Sequence, residues 1–207
     1  MPGFNISNFR SNGLRLGGAR PSLFVVTLQF PTISEIAPNT SNRAQFLCSA
    51  TSIPASSIDK VPVGYFGRKI QLAGDRVFQD WQVRVLNDED FQIRNAMEAW
   101  HNSINSIISN RLDPRVANIS PQIGNSYKTT AMVTQLSKTG PGDIDGDGAL
   151  KTYKFDGIFP TEVDPIRLDW NSTNQIEEFD VTFAYDWWEP MRKGNEAPIF
   201  PIEQNPA

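Results

Sequence analysis

A mainly β chain of α+β class, carrying one amphipathic helix, is what this sequence predicts, and three observations carry the expectation. From Gln175 to Trp188, Phe179, Val181, Phe183, Tyr185 and Trp187 alternate with Glu178, Asp180, Thr182 and Asp186, the period-2 signature of a strand with one buried face. The same alternation runs through Val77 to Leu86, with Trp81, Val83 and Val85 on one side and Gln82 and Arg84 on the other. Helical spacing is clear in one place, where Ile93, Met97, Trp100 and Ile104 recur at intervals of three or four residues.

Taken in order, residues 1–20 form an N-terminal arm in which Asn, Gly and Arg surround Phe4, Ile6, Phe9, Leu14 and Leu16. That composition fits either a disordered arm or one that orders against a neighbouring subunit. Leu23 to Phe30 reads as a strand, residues 31–43 as a loop broken by Pro31, Pro38, Asn39 and Asn42, and Ala44 to Ala50 as a shorter strand. Val61 to Val63 lead into a strand at Arg68 to Leu72, and Ala73-Gly74-Asp75-Arg76 reads as a turn in which Gly74 takes positive φ, returning the chain into Val77 to Leu86. Asn87 to Asp90 offer capping oxygens and negative charge to a helix over about 89–108.

Asp113-Pro114, Pro121 and Gly124 then make a long connection. Tyr127 to Ser137 and Leu150 to Phe159 read as strands, the latter with Tyr153 and Phe155 on one face and Lys154 and Asp156 on the other. An acidic loop, 138–149, lies between them. Beyond the 175–188 strand, residues 190–207 are a proline-rich C-terminal tail, so the folded domain spans 21–189.

With 207 residues, 39% of them hydrophobic and 20% charged, the chain has material for one substantial core, which thirteen Phe and five Trp make aromatic. A net charge of −4 without a basic run argues against a general nucleic-acid binder, because phosphate affinity comes from Lys and Arg. Met1 is followed by a polar segment lacking the apolar stretch of a secretory signal, and no apolar run approaches the ~20 residues of a membrane span. The expectation is a chain made and kept in a cytoplasm, with no membrane insertion of its own.

Chemistry is sparse. One cysteine, Cys48, and one histidine, His101, exclude an intramolecular disulfide and a zinc site of Cys and His ligands within one chain. Cys48 reads as a small buried hydrophobe and His101 as a cation near a helix C-terminus. There is no phosphate-binding Gly-rich loop, nucleophile elbow or dinucleotide fingerprint, and no enzyme or cofactor is expected. Asp143, Asp145 and Asp147, followed by Gly148, imitate the start of a calcium-binding EF-hand loop, which would make a small calcium-binding module. The twelfth position is Lys154 instead of Glu and the flanks read as strands, so a solvated acidic hairpin loop is the better reading and no metal is assigned.

Several blocks in register resemble the tail tube protein of contractile-tailed bacteriophages. They are Cys48-Ser49-Ala50-Thr51-Ser52-Ile53-Pro54-Ala55, Val61 to Ile70, Ala73-Gly74-Asp75-Arg76-Val77-Phe78-Gln79-Asp80-Trp81, and Leu86 to Glu89. Near the far end come Gly157 to Thr161, Leu168-Asp169-Trp170, Ile176 to Thr182 and Tyr185 to Glu189. The resemblance covers roughly Ala19 to Glu189.

What it implies is a structural subunit: a barrel-like antiparallel β-sandwich with one flanking helix, assembling into hexameric rings that stack into the conduit for DNA delivery. The implied partners are copies of the chain itself, the tail sheath protein, baseplate and tail terminator proteins, and the tape-measure protein and genomic DNA passing through the lumen. The implied place is the virion tail, assembled in the host bacterial cytoplasm. An inner-tube or tube-initiator subunit of a related contractile injection machine is the alternative. A tube wall rich in Lys and Arg would hold DNA at every ring, so a neutral or acidic wall suits passage. The polar row Glu178, Asp180, Thr182 and Asp186 is the expected lumen face, and Lys69, Asp75 and Arg76 are expected at an intersubunit contact.

Overall fold

A computed structural model describes residues 5–14, 18–31, 36–37, 39–111, 126–138 and 148–191. After a short helix α1 (Ile6–Asn8), continued by a π-helical turn, come β1 (Phe24–Leu28), α2 (Thr40–Leu47), β2 (Cys48–Thr51), β3 (Ser56–Tyr65), β4 (Arg68–Phe78) and β5 (Trp81–Leu86). The order continues with α3 (Gln92–Ile104), β6 (Thr129–Leu136), β7 (Ala149–Val163), β8 (Glu178–Ala184) and β9 (Trp187–Met191). Seven strands form one antiparallel sheet in the order β1-β6-β7-β8-β5-β2, with β9 also paired to β7. Strands β3 and β4 pair only with each other.

The sheet is curled. Val26 and Leu28 at one end, Val83 and Val85 near the other, and Ala131, Phe155, Val181 and Phe183 between them all join one buried cluster, which a flat sheet could not achieve. Trp81 stacks on Phe155 at 4.4 Å between centroids and donates its indole N–H to the Ser52 carbonyl at 3.1 Å. Trp100 reaches the same cluster from α3 and donates to the Tyr127 carbonyl at 2.9 Å, so both buried indoles keep a partner for their one polar atom.

The expected stripe on α3 holds: Ile93, Met97 and Trp100 are buried, and Ile104 packs on the core edge. The helix is shorter than 89–108, and its first residue follows Phe91 in the left-handed region (φ 51°) with no side-chain cap. The acidic run works differently from the cap expected of it. Asp90 accepts one long bond, 3.4 Å, from the Gln92 N–H, and both Asp88 and Asp90 pair with Arg43 of α2. That ion pair holds the Asp90 carboxyl below its usual range.

Residues 44–47, read as strand, are helix. Thr40 and Ala44 are buried and Leu47 packs on the core, a spacing of four and three, while Phe46 points out. Helix α2 therefore joins α3 as a second helix on the body, packed against β1, β2 and β5.

The 175–188 strand is interrupted. Strands β8 and β9 keep one register against β7, with Phe159 opposite Ala184 and Asp156 opposite Trp187, but the ladder opens between them where Gly157 has φ 70°. Inward-facing parity changes there: Phe183 is buried and Tyr185 packs on the core, but beyond the break it is Trp188, not Trp187, that does so. Strand β9 also carries the folded domain past residue 189 to Met191. No described helix is long and apolar enough to cross a membrane.

Candidate assembly interface

Strands β3 and β4 form a two-stranded ribbon that prolongs the β2–β5 pair out of the body. Going five residues along the first arm, from Thr51 to Ser56, matches going five back along the second, from Val83 to Phe78, so the register carries through. At ~3.4 Å per residue the ten residues of β3 span about 30 Å. Its base is fixed by Phe78 against Tyr185 and Trp188, and by the Trp188 indole donating to the Ala55 carbonyl at 3.4 Å.

The turn is Phe66-Gly67, both with positive φ (43° and 79°), the geometry that suits the twist of a two-residue hairpin. Ala73 to Arg76, expected to turn, lies within β4 instead. There Gly74 and Asp75 together face Asp59, a bulge between the Ile58–Arg76 and Lys60–Ala73 pairs. Gly74 serves close approach rather than positive φ, since a Cβ would meet the Asp59 carbonyl oxygen at 3.0 Å.

Beyond the bulge, cross-strand partners sort the side chains onto two faces. Val61 faces Leu72, Val63 faces Ile70 and Tyr65 faces Arg68 on one side; Pro62 with Gln71 and Gly64 with Lys69 take the other. Val61, Val63, Tyr65, Ile70 and Leu72 are each 44–62% exposed and Phe66 is 90% exposed. A bare two-stranded ribbon is marginal in water, and a contiguous apolar face of this kind marks a protein contact.

Of the residues expected at a contact, all three lie on this ribbon. Lys69 is two residues past the turn, whereas Asp75 sits in the bulge and Arg76 donates to Ser56 Oγ at 2.9 Å near the base. They do not form one cluster: six residues of strand, ~20 Å, separate Lys69 from Asp75. The apolar face beside them was not singled out in the sequence, although Tyr65-Phe66-Gly67-Arg68 flanked by two alternating runs was its signal.

In the expected lumen row, Glu178, Asp180 and Thr182 share the polar face of β8 with Gln82 and Arg84 of β5. Arg84 holds Asp180 through two bonds, 2.8 and 2.9 Å, with Glu178 at 3.9 Å. This pairing keeps the Asp180 carboxyl below its usual range. Asp186 does not continue the row, because its carboxylate folds across Gly157 to Lys128 Nζ at 2.6 and 2.9 Å.

No group of three or more potential metal ligands occurs among the described residues, and Asp143, Asp145 and Asp147 lie outside them. Burial pushes the Cys48 thiol up to about 12, so it is no nucleophile at neutral pH. His101 is exposed on the last turn of α3.

A profile of the family described as phage tail tube protein matches residues 19–191, nearly the whole described body. The chain belongs to the phage tail tube protein family. This family member is 36% identical to the tail tube protein gp19 of Enterobacteria phage T4 over 171 residues, covering 83% of this chain and 91% of that one. It is 25% identical over 181 residues to the tail tube protein of Serratia phage KSP90, covering 87% and 93%. Among solved structures, a chain of the sheath–tube complex of an extracellular contractile injection system superposes with a TM-score of 0.55 at 14% identity, over 91% of this chain and 99% of that one. A chain of the anti-feeding prophage baseplate gives 0.55 at 11% identity, over 87% and 98%. These likenesses carry the fold, and the family match carries the role: a structural subunit of a contractile phage tail tube, placed in the virion tail.

Proposed function

We propose that this chain assembles into hexameric rings that stack, through its β3–β4 ribbon, into the tube of a contractile tail, and that the tube conducts DNA and the tape-measure protein. The observation that supports this is the ribbon itself: among the described residues, an exposed apolar face on a hairpin that is held to the body at its base. A neighbouring copy would bury that face, and head-to-tail contacts between copies generate rings when they close and stacks when they do not. The tail sheath, baseplate and tail terminator proteins are the further partners proposed, with assembly in the host bacterial cytoplasm.

Glu178, Asp180 and Thr182 are proposed for the lumen wall. Arg84 neutralises part of that face within the subunit, leaving no free cation among these residues to hold phosphate. Asp186, tied to Lys128, is not included.

Electron microscopy of the purified protein tests assembly, with rings or tubes of uniform diameter expected. A monomer that persists at high concentration, with or without a baseplate template, would contradict it. For the wall, Glu178→Lys should slow DNA ejection from otherwise intact particles; unchanged ejection removes the assignment.

A further inference from the structure

Between Leu86, at the end of β5, and the segment from Ile166 to Glu178 lies a groove of about 900 Å³. Trp170 stands fully exposed beside it, with Leu168 78% and Ile176 70% exposed, and no described residue covers them. We propose that this groove is a seat for a proline-rich segment, and that its occupant is the C-terminal segment 192–207 of a neighbouring copy of this chain. The family match ends at residue 191, so a contact made by this segment is additional to those that family membership implies.

Three observations point to that occupant. The first is the chemistry of the groove. It combines an exposed indole with aliphatic walls and three carboxylates, Asp169, Glu177 and Glu178, against the single Arg167. Surfaces that bind extended proline-rich chains are built in this way, with prolines packed on an exposed aromatic ring. Carboxylates beside the ring then favour a segment that brings cations.

The second is the sequence of the segment. Arg192 and Lys193 lead it, and Pro198-Ile199-Phe200-Pro201-Ile202 follows, two prolines three residues apart with apolar residues between and after them. At three residues per turn of the polyproline II helix, Pro198 and Pro201 share one edge. Its carboxylates, Glu196 and Glu203, are apart from the cation pair. A sequence of this kind favours the extended form before binding, which lowers the entropic cost of docking.

The third is placement. Strands β8 and β9 run along β7 from Val181, opposite Val163, to Met191, opposite Thr152, so the chain leaves β9 heading away from its own groove. Eleven residues of β7, ~36 Å along the strand, separate those two positions. Pro198 lies seven residues past Met191, only ~22 Å at the polyproline rise. The segment is therefore directed to the groove of a neighbour instead of its own.

The test titrates a fluorescein-labelled peptide of residues 192–207 into the full chain carrying Phe200→Asp and Ile202→Asp, whose own segment no longer competes. Anisotropy should rise to saturation, and Trp170→Ala in the acceptor should weaken binding by about tenfold or more, the effect of losing an anchoring aromatic. Because Trp170 is fully exposed, that substitution leaves the fold in place. A peptide with Pro198→Ala and Pro201→Ala should weaken similarly. No saturation, or equal binding to the Trp170→Ala acceptor, overturns the seat. To identify the donor, a Cys48→Ser chain with Ser172→Cys is mixed with a Cys48→Ser chain with Gln204→Cys, and oxidation should give the mixed dimer. A single chain carrying both cysteines should give dimers and larger species; if it closes only on itself, the neighbour is overturned as the source. Tubes formed by protein that fails the peptide titration remove this contact and leave the tube reading standing. Peptide binding by protein that forms neither rings nor tubes keeps the contact and removes the tube reading.

Discussion

Gly157 and Asp186 face each other across the β7 ladder, and the Asp186 carboxylate fills the space a side chain at 157 would need. A Cβ there would lie 2.1 Å from Asp186 Oδ2. The backbone at 157 is also left-handed, φ 70°, which suits glycine. Above the glycine, Asp186 holds Lys128 Nζ, which itself lies 5.8 Å over the Phe159 ring. Gly157→Ala is expected to lower stability by about 2–4 kcal/mol through backbone strain and displacement of Asp186. Urea unfolding followed by tryptophan fluorescence measures it, and an unchanged midpoint would show that the carboxylate has another resting place.

Trp81 joins the base of the ribbon to the core. Its ring is 1% exposed and stacked on Phe155, and its N–H serves the Ser52 carbonyl. Trp81→Ala should cost about 3–5 kcal/mol. Trp81→Phe should cost about 1–3 kcal/mol, chiefly from the unpaired carbonyl. A Trp81→Phe protein as stable as the wild type would remove the hydrogen bond from the account.

The Arg84–Asp180 pair sets a direction for pH dependence. Hydrogen bonding to Arg84 lowers the folded-state carboxyl below its unfolded value, so its contribution is present above the unfolded value of about 3.9 and is lost as pH falls through the lower folded value. Asp180→Asn should therefore leave melting temperature less steeply dependent on pH below about pH 4. Melting curves between neutral and acid pH decide it, and identical acid limbs for both proteins would exclude Asp180 as a contributor.

The ribbon and the body should respond separately to mutation. Val63→Asp with Ile70→Asp puts two charges on the apolar face of a segment that contributes nothing to the buried cluster. Assembly should be abolished, whereas the unfolding free energy of the monomer should change by no more than about 0.5 kcal/mol. Sedimentation and urea unfolding report the two quantities independently. Tubes that form normally would show that this face is not a contact.

How much of this was legible in the sequence depended on whether a local pattern matched its packing. Strand β5, the α3 stripe and the inward row Phe179, Val181 and Phe183 were read correctly because period and burial agree there. Helix α2 was missed because it is short and its inward residues are Thr40 and Ala44, which carry little apolar signal. The turn was misplaced because Gly74-Asp75 has good turn chemistry, which the fold uses for a bulge, while Phe66 is an uncommon residue at positive φ. The groove was beyond local reading altogether. It brings Leu86 beside Ile176 through a strand pairing that no local period reveals.

The continuous register between the ribbon and the β2–β5 pair has a mechanical consequence. A pull on the ribbon tip runs down two covalent backbones and enters the body at Trp81, on a strand flanked by neighbours on both sides. The load then lies along β5, so its six pairings with β8 are stressed in shear and must yield together instead of peeling one at a time. A subunit built this way carries a pull on the ribbon into the middle of its sheet, and the ladder along that path is interrupted at the bulge of Asp59, Gly74 and Asp75, outside the core.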